Sequence, residues 1–292
     1  MLLFGVENII YCTWLNHSLS PMDNDLREFL GMAIGINATS HTLPGQDGRI
    51  TLLGSDELIV SYTVSAVIRK VTGKYFRTGV ANIRIDGDNR LVIENNRTLT
   101  PIQAGPRRRH EKNWTPFTYN GKLFFVVDIN PMLVVRPQDE MFVTDAGLRQ
   151  LVYFVSNSTV KSVTWEYGPL RGGTNAIQIT SKAYLALFHS QCKLAGSSMN
   201  TYLMGAYTFT SQPPFRLLAV SRTPIIHPAL YAGPTFNQYR RKATSNYIVF
   251  PMSLFRGKDS QRVYVSLGTQ DRFGWIAELN IKELLASLDP VG

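Results

Sequence analysis

The sequence predicts an all-β fold, and three observations support this prediction. Short β-branched and aromatic runs, bounded by Gly, Asn, Asp and Pro, recur from Arg49 to Trp275. Helical periodicity is confined to 23–32 and 277–288, which is too little for a helical layer. Hydrophobic residues make up 44% of the 292 residues, so the chain can fill a packed core, while no apolar run approaches the ~20 residues of a membrane-spanning helix.

Four strand–turn–strand hairpins recur along the chain at a long interval. They cover residues 49–63, 115–128, 175–189 and 249–267. Their second strands are predicted to begin at Leu58, Leu123, Tyr184 and Val263. A unit of about 60 residues with about four short strands is typical of a β-propeller blade, and the chain is long enough for about five such units. We therefore predict one five-bladed β-propeller domain over 1–292, with 1–45 in the closing blade and a carboxyl-terminal strand completing it.

A β-sandwich is the alternative fold, but its turns would recur every ~8–12 residues without the longer interval. The amino-terminal stretch 1–12 is apolar, carries Glu7, and lacks both a basic region and a small-residue cleavage pattern. It is therefore predicted to be the first strand and not a cleaved signal peptide. Asn-x-Ser/Thr sequons point instead to a secretory route, which leaves the compartment open. They begin at Asn16, Asn37, Asn96, Asn113 and Asn157.

The net charge of +9 favours an anionic partner, such as phosphate, a sugar phosphate or a sugar nucleotide. One dense basic cluster, 107–110, has no RNA-binding or helix-turn-helix pattern beside it, so nucleic acid is not expected as a partner. Cys12 and Cys192 are too few for a disulfide framework and lack the spacing of a zinc site. No cluster of metal ligands is visible in the sequence, and the prediction includes neither a metal nor a cofactor.

Candidate site residues follow from the hairpin interval. Asp47, Lys112 and Gly173, which lies beside Arg171 and Thr174, occupy equivalent positions before the second strands. Such positions converge on a propeller axis, where ligand pockets usually lie. A desolvated carboxyl group suits general acid catalysis, and an ammonium group suits phosphate. The alternatives are an Asp-Gly turn at Asp47 and a structural ion pair at Lys112.

The ordered motifs of the second half resemble the five-bladed propeller glycosidases that include the β-mannoside phosphorylases. The motifs are 171–176, 184–190, 202–207, 214–218, 221–225, 249–251 and 263–271. The resemblance covers about 45–277. The Glu-Asp-Pro-Arg motif of that family is matched by Gln46-Asp47-Gly48-Arg49, which implies that Asp47 is the catalytic acid. Gln46 and Gly48 depart from the family motif, which affects how a substrate would be oriented.

The resemblance also implies roles for other residues. Lys112 and His189 would face phosphate or the attacking nucleophile, and Asp271 would bind the sugar. The alternative for His189 is a structural role, because a lone histidine at the end of a strand is more often structural. Arg69 or Arg77 would bind phosphate. The complete set of predicted substrate-binding residues is Arg49, Tyr62, Arg69, Arg77, Glu111, Lys112, Asn113, Arg171, Thr174, His189 and Asp271.

These residues lead to the hypothesis of a carbohydrate-active enzyme that cleaves a β-linked glycoside, with mannose among the candidate sugars, by inversion. One acid and several cations favour phosphorolysis, with inorganic phosphate as co-substrate and an oligosaccharide or glycoconjugate as partner. An inverting hydrolase needs a second carboxylate roughly 6.5–9.5 Å away, for which Glu111 and Glu166 are candidates. The alternatives are a glycosyltransferase that uses a sugar nucleotide or sugar phosphate, and a non-catalytic glycan-binding propeller.

Overall fold

The computed structural model describes residues 2–6, 9–13, 46–54, 57–66, 75–85, 91–101, 112–144, 147–157, 163–193, 195–196, 200–231, 247–270 and 273–291. These residues are mostly in β-strands, which confirms the all-β class. Two short helices, α1 (Pro228–Tyr231) and α2 (Ile281–Ala286), occur among them. No helix in this part of the chain is both long and apolar enough to cross a membrane.

The strands fall into two compact units. The first unit comprises Met1–Phe125 and Val135–Phe154, and the second comprises Val126–Val134 and Val155–Gly292. The strands of the first half are β1 (Leu2–Val6), β2 (Ile9–Thr13), β3 (Gln46–Leu53), β4 (Glu57–Ala66), β5 (Tyr75–Ile85), β6 (Leu91–Pro101), β7 (Thr115–Tyr119), β8 (Lys122–Ile129), β9 (Met132–Thr144) and β10 (Gly147–Asn157).

The second half continues the succession of antiparallel strands. It contains β11 (Arg171–Gly172), β12 (Ile177–Thr180), β13 (Ala183–Lys193), β14 (Asn200–Thr210), β15 (Leu217–Ser221), β16 (Val249–Arg256), β17 (Arg262–Thr269), β18 (Phe273–Asn280) and β19 (Leu288–Pro290). The four predicted hairpins are present as β3–β4, β7–β8, β12–β13 and β16–β17. Each second strand begins one residue earlier than predicted, at Glu57, Lys122, Ala183 and Arg262.

One sheet has eight strands in the order β3-β4-β5-β6-β10-β9-β8-β7, of which β3 to β6 lie within the first unit. Strands β3 to β6 form an antiparallel meander, and β6 then pairs in parallel with β10, with Leu99 opposite Gln150. This pairing joins two meanders edge to edge, whereas separate four-stranded blades would keep them apart. The number of blades, and the assignment of the whole chain to a single propeller domain, therefore stay predictions.

The two faces of the β3–β6 meander differ in chemistry. Residues that pair across neighbouring strands share a face, and successive residues along a strand point to opposite faces. The register therefore puts Tyr62 and Gly79 on one side and Arg49 and Ser61 on the other. The first side is apolar, with a buried cluster of Val60, Tyr62, Ala81 and Ile83. On the second side Arg49, Ser61, Thr63, Thr78 and Arg97 are buried although they are polar.

The second unit contains two sheets around one core. The first sheet has the order β11-β13-β14-β15-β19, with β12 also paired to β13, and the second has the order β16-β17-β18. Leu187 and Met204 of the first sheet belong to the same buried cluster as Val265 and Leu267 of the second. Helix α2 adds Ile281 and Leu284 to this cluster.

One expectation about the carboxyl terminus was wrong in detail. Residues 277–280 continue β18 because they pair with β17 as far as Arg262–Asn280, so the predicted helix begins only at Ile281. Asn280 caps that helix, since its Oδ1 accepts a hydrogen bond from Glu283 N at 3.2 Å. The terminal strand β19 pairs with β15, and the predicted closure of a blade by 1–45 and a carboxyl-terminal strand stays a prediction. The predicted strand in 1–12 is present as the β1–β2 hairpin, and the predicted helix 23–32 lies outside the described residues.

Candidate functional site

Asp47 lies in a β-bulge at the beginning of β3. Gln46 pairs with Thr63 and Arg49 pairs with Ser61, so two residues of β3 lie opposite the single residue Tyr62 of β4. Asp47 has a φ of 56°, a left-handed backbone conformation that is uncommon outside glycine. Bulges of this kind bend a strand and redirect a side chain, and they are frequent beside active sites. The Asp-Gly dipeptide therefore forms part of a strand and not a simple turn.

Arg49 connects this bulge to a second residue with an unusual backbone. The Arg49 side chain is only 2% exposed. Its Nη1 donates to the carbonyl oxygen of Asp47 at 2.7 Å, and its Nη2 donates to Oδ1 of Asn113 at 3.4 Å. Asn113 has a φ of 64°. Backbone strain in two residues joined by one buried cation is the kind of arrangement that accumulates at functional sites.

Lys112 completes this group of residues. Its Nζ lies 4.9 Å from the centroid of the Phe76 ring, a cation–π contact that holds the ammonium group near β5. Its charge also acts on the carboxyl group of Asp47. We refer to Asp47, Arg49, Lys112 and Asn113 as the Asp47 cluster. All four residues belong to the first unit, and all four were predicted site residues.

Burial raises the pKa of the Asp47 carboxyl group above its ordinary value. The positive charges of Arg49 and Lys112 lower that pKa, but desolvation is the larger effect because it penalises the charged form of the group. A raised pKa favours the protonated acid, while the two neighbouring cations stabilise the carboxylate that remains after the proton leaves. This combination is what a general acid requires.

Buried hydroxyl groups surround Arg49. Thr51 lies two residues farther along β3, Ser61 lies opposite Arg49 on β4, and Thr115 lies two residues after Asn113. All three residues are at most 5% exposed, and their Oγ atoms have no hydrogen-bond partner among the described residues. Buried polar atoms normally have partners, so this layer has unused capacity to bind water or another polar molecule.

Tyr62 and Arg77 share one face of the β3–β6 meander. The register places both on the apolar face of the meander, opposite to the face that carries Arg49. The Tyr62 ring covers Gly79, its hydroxyl group donates to Oδ1 of Asn96, and burial raises its pKa. Arg77 Nη1 donates to the carbonyl oxygen of Phe76 at 3.1 Å.

His189 and Arg171 lie opposite each other on neighbouring strands of the second unit. His189 is 1% exposed, and its Nδ1 lies 3.1 Å from the carbonyl oxygen of Gly172, to which a protonated Nδ1 donates. Its ring lies 4.4 Å from the Phe250 ring between centroids. Arg171 is exposed and donates to Gln191 Oε1 at 3.1 Å. These contacts hold the His189 ring in place, and its predicted role at a site stays a prediction.

Thr174 also makes structural contacts within the second unit. Its Oγ1 accepts a hydrogen bond from Leu187 N at 3.0 Å and donates to the carbonyl oxygen of Asn175 at 2.7 Å. Glu166, one candidate for a second carboxylate, is exposed in this unit. Three further predicted site residues, Arg69, Glu111 and Asp271, lie outside the described residues.

A buried polar network lies next to the edge of the meander and was not predicted from the sequence. Arg97 Nε donates to Gln150 Oε1 at 2.6 Å, and its Nη1 donates to Asn82 Oδ1 at 2.7 Å. Asn82 in turn donates to Glu57, so the network connects β4, β5, β6 and β10. Polar residues that alternate with apolar ones in a strand usually indicate a solvent-facing side, and this is why the pattern did not indicate burial.

Comparison with known proteins gives little that bears on function. No family model and no curated protein sequence matches the chain. Among solved structures, the chain is similar to the α-L-arabinanase of Cellvibrio cellulosa in complex with arabinohexaose, with a TM-score of 0.39 and 12% sequence identity. The similarity covers 80% of this chain and 72% of the arabinanase chain. A similarity of this size leaves the activity of the chain to be inferred from its own residues.

Proposed function

We propose that the chain is a carbohydrate-active enzyme in which Asp47 is the general acid. The observation that supports this most strongly is the desolvated carboxyl group of Asp47 beside the cations of Arg49 and Lys112. The bulge in β3 and the hydrogen bond from Arg49 to the Asp47 carbonyl oxygen hold this residue in place. For the fold we propose a five-bladed propeller, on the basis of the recurring antiparallel hairpins.

In the proposed reaction Asp47 donates its proton to the glycosidic oxygen while the bond from that oxygen to the anomeric carbon breaks. The nucleophile forms a new bond to the same carbon from the opposite face, which inverts its configuration. Arg49 and Lys112 stabilise the Asp47 carboxylate that results, and solvent returns the proton after the products leave. The raised pKa favours the protonated form of the acid at the start of each cycle.

Phosphate is the nucleophile that we favour. Within the described part of the chain the Asp47 cluster holds two cations and one carboxyl group, and no second carboxylate that would activate water. An inverting phosphorolysis needs no such base because phosphate is already a nucleophile, and cations offset its charge. The products are then a sugar 1-phosphate and the shortened glycan.

Product analysis tests this proposal. The purified protein is incubated with β-linked manno- and gluco-oligosaccharides, with and without inorganic phosphate, beside the variants Asp47→Asn and Asp139→Asn. Asp139 is 80% exposed and pairs with Arg136 at 2.8 Å, so its variant is a matched control. We expect Asp47→Asn to lose about 10²–10⁴-fold in turnover and Asp139→Asn to keep it. Full activity in a folded Asp47→Asn protein would refute the proposal.

The excess of positive charge in the Asp47 cluster also favours a second candidate function, transfer from a sugar nucleotide or sugar phosphate donor. Calorimetry separates the two candidates. Binding of a sugar nucleotide without binding of free phosphate supports the transferase, and the reverse result supports the phosphorylase. Tight glycan binding without any turnover would instead identify a non-catalytic glycan-binding protein.

A further inference from the structure

The Asp47 cluster combines two residues that solvent reaches with two that it does not. Asp47 and Lys112 are partly exposed, whereas Arg49 and Asn113 are only 2% and 6% exposed. The buried pair supports the exposed pair from inside, because Arg49 donates to the carbonyl oxygen of Asp47 and to Oδ1 of Asn113. A small ligand that arrives from solvent therefore meets Asp47 and Lys112 first, with the charge of Arg49 behind them.

Few other charges lie near Asp47 among the residues that the structure describes. The strands that pack most extensively on β3 are β1, β2, β4 and β7, and Glu57 is their one charged residue. It pairs with Leu53, at the end of β3 that is far from Asp47. On the face of the meander that carries Arg49, Arg97 lies three strands away and hydrogen-bonds to Gln150 and Asn82. The other titratable residues of the four strands, which are neutral at neutral pH, are Tyr11, Cys12, Tyr62 and Tyr119.

The net charge of the Asp47 cluster depends on the protonation of Asp47. With the carboxyl group ionised, the charges of Arg49 and Lys112 leave the cluster one net positive charge, and protonation raises this to two. Two positive charges match a dianion, whereas an ionised carboxyl group repels a dianion at close range. A dianion therefore binds the protonated form more tightly. Because coupling between two ligands is reciprocal, the bound dianion also makes Asp47 hold its proton more tightly.

We propose that the Asp47 cluster binds a dianionic phosphate group together with one proton, which the carboxylate of Asp47 takes from solvent. The O–H bond of Asp47 is the one covalent bond that forms in this step, and none breaks within the protein or the anion. Lys112, the more exposed of the two cations, contacts the bound anion. Arg49 acts from its buried position through its charge.

This inference rests on the proposed function and deepens it, because it concerns the proton that Asp47 later donates to the glycosidic oxygen. It sets the order of events in the proposed reaction. The phosphate that will attack the anomeric carbon arrives first, and its charge brings the catalytic proton onto the acid. Burial already raises the pKa of Asp47, so the anion has to supply only part of the free energy for this protonation.

Calorimetry with sulfate tests the coupling between anion and proton. Sulfate keeps two negative charges between about pH 4 and pH 9, whereas inorganic phosphate changes its own charge in this range. Titrations in buffers of different ionisation enthalpy also give the number of protons bound with each anion. Asp47→Asn cannot titrate, Lys112→Met lacks the ammonium group, and Lys122→Met is the matched control. Lys122 is suited to this purpose because its side chain is 51% exposed and its Nζ lies 3.9 Å from Oδ2 of Asp139.

We expect the affinity of the wild type for sulfate to fall by up to about tenfold per pH unit as the pH rises through the pKa of Asp47. About one proton should be bound with each anion in that range. Asp47→Asn should lose both effects, and above that pKa it should bind sulfate more tightly than the wild type, because its side chain stays neutral. Lys112→Met should bind about tenfold more weakly, and Lys122→Met should bind like the wild type.

The outcomes separate this inference from the proposed function. If sulfate does not bind, binds without a proton, or keeps its pH dependence in a folded Asp47→Asn protein, the inference is wrong. Conversion of glycans under any of these outcomes would leave the proposed acid role of Asp47 standing. Proton-coupled binding that depends on Asp47, without conversion of any glycan, would support the inference and refute the proposed function.

The source of the phosphate group is distinguished by titrating inorganic phosphate and a sugar 1-phosphate at one pH. Tighter binding of inorganic phosphate supports the coupling as a step of phosphorolysis. Tighter binding of the sugar 1-phosphate supports the same coupling with an esterified phosphate as the ligand. Thermal melting verifies that each variant is folded, and the proton uptake of the wild type tests the inference even if Asp47→Asn does not fold.

Discussion

The buried cation Arg97 allows a quantitative test of how β6 and β10 are held together. Arg97 is 8% exposed and donates to Gln150 Oε1, Asn82 Oδ1 and the carbonyl oxygen of Asn95 at 2.6–2.8 Å. Burial lowers its pKa, because the guanidinium group is partly removed from water. Arg97→Met keeps much of the apolar volume of the side chain and removes every donor.

The size of the effect follows from the groups that lose their partner. Gln150 is 7% exposed, so its Oε1 would remain buried and unpaired at a cost of about 1–3 kcal/mol. The oxygens of Asn82 and Asn95 are nearer to solvent and cost less to leave unpaired. Removing the desolvated charge offsets part of this loss. We expect Arg97→Met to lower the free energy of unfolding by about 2–4 kcal/mol, a large share of a typical 5–15 kcal/mol.

A double-mutant cycle isolates the contribution of the Arg97–Gln150 contact. Gln150→Met removes the acceptor, so in the double variant the Gln150 amide oxygen is no longer left buried without a partner. We expect a coupling energy of about 1–3 kcal/mol from urea unfolding followed by fluorescence and circular dichroism. Arg222→Met is the surface control, because Arg222 is 65% exposed and pairs with Asp289 at 2.7 Å, and it should unfold like the wild type. A coupling energy below about 0.5 kcal/mol would refute the reasoning.

Two further predictions concern stability. Burial raises the pKa of Asp47, so the folded protein binds the carboxyl proton of Asp47 more tightly than the unfolded chain does. The contribution of Asp47 to stability is therefore fully present below about pH 3.9 and is lost as the pH rises through the pKa of the folded state. Asp47→Asn should therefore melt at a higher temperature than the wild type at neutral pH, and this difference should vanish near pH 3. A lower Tm of the variant at neutral pH, measured by calorimetry, would contradict the prediction. Gly205→Ala should cost about 1–3 kcal/mol in urea unfolding, because its Cβ would lie within 2.8 Å of the buried Phe188 ring, whereas Gly274→Ala has open space and should change little.

Part of the candidate site was predictable from the sequence. Asp47 and Lys112 were expected to be neighbours because they occupy equivalent positions before two hairpins, and the structure places both in the Asp47 cluster with Arg49. The predicted role of His189 beside a nucleophile stays a prediction, and in the structure this residue contacts the carbonyl oxygen of Gly172 and the rings of Phe250 and Tyr202. A motif of a few residues carries no information about which backbone carbonyl a buried side chain will meet.

The hairpins themselves were determined by the sequence alone. A turn such as Asn120-Gly121 has backbone requirements that its own residues meet, and the alternation of the flanking residues sets the register, so both act over a few neighbouring residues. The parallel pairing of β6 with β10 and the burial of Arg49 and Arg97 were decided by the tertiary structure. Every strand edge offers the same N–H and C=O groups, so which edges meet depends on the packing of distant segments. The same packing turned an alternating polar pattern, which locally resembles a solvent-facing side, into a buried layer of charge and hydroxyl groups around the proposed acid.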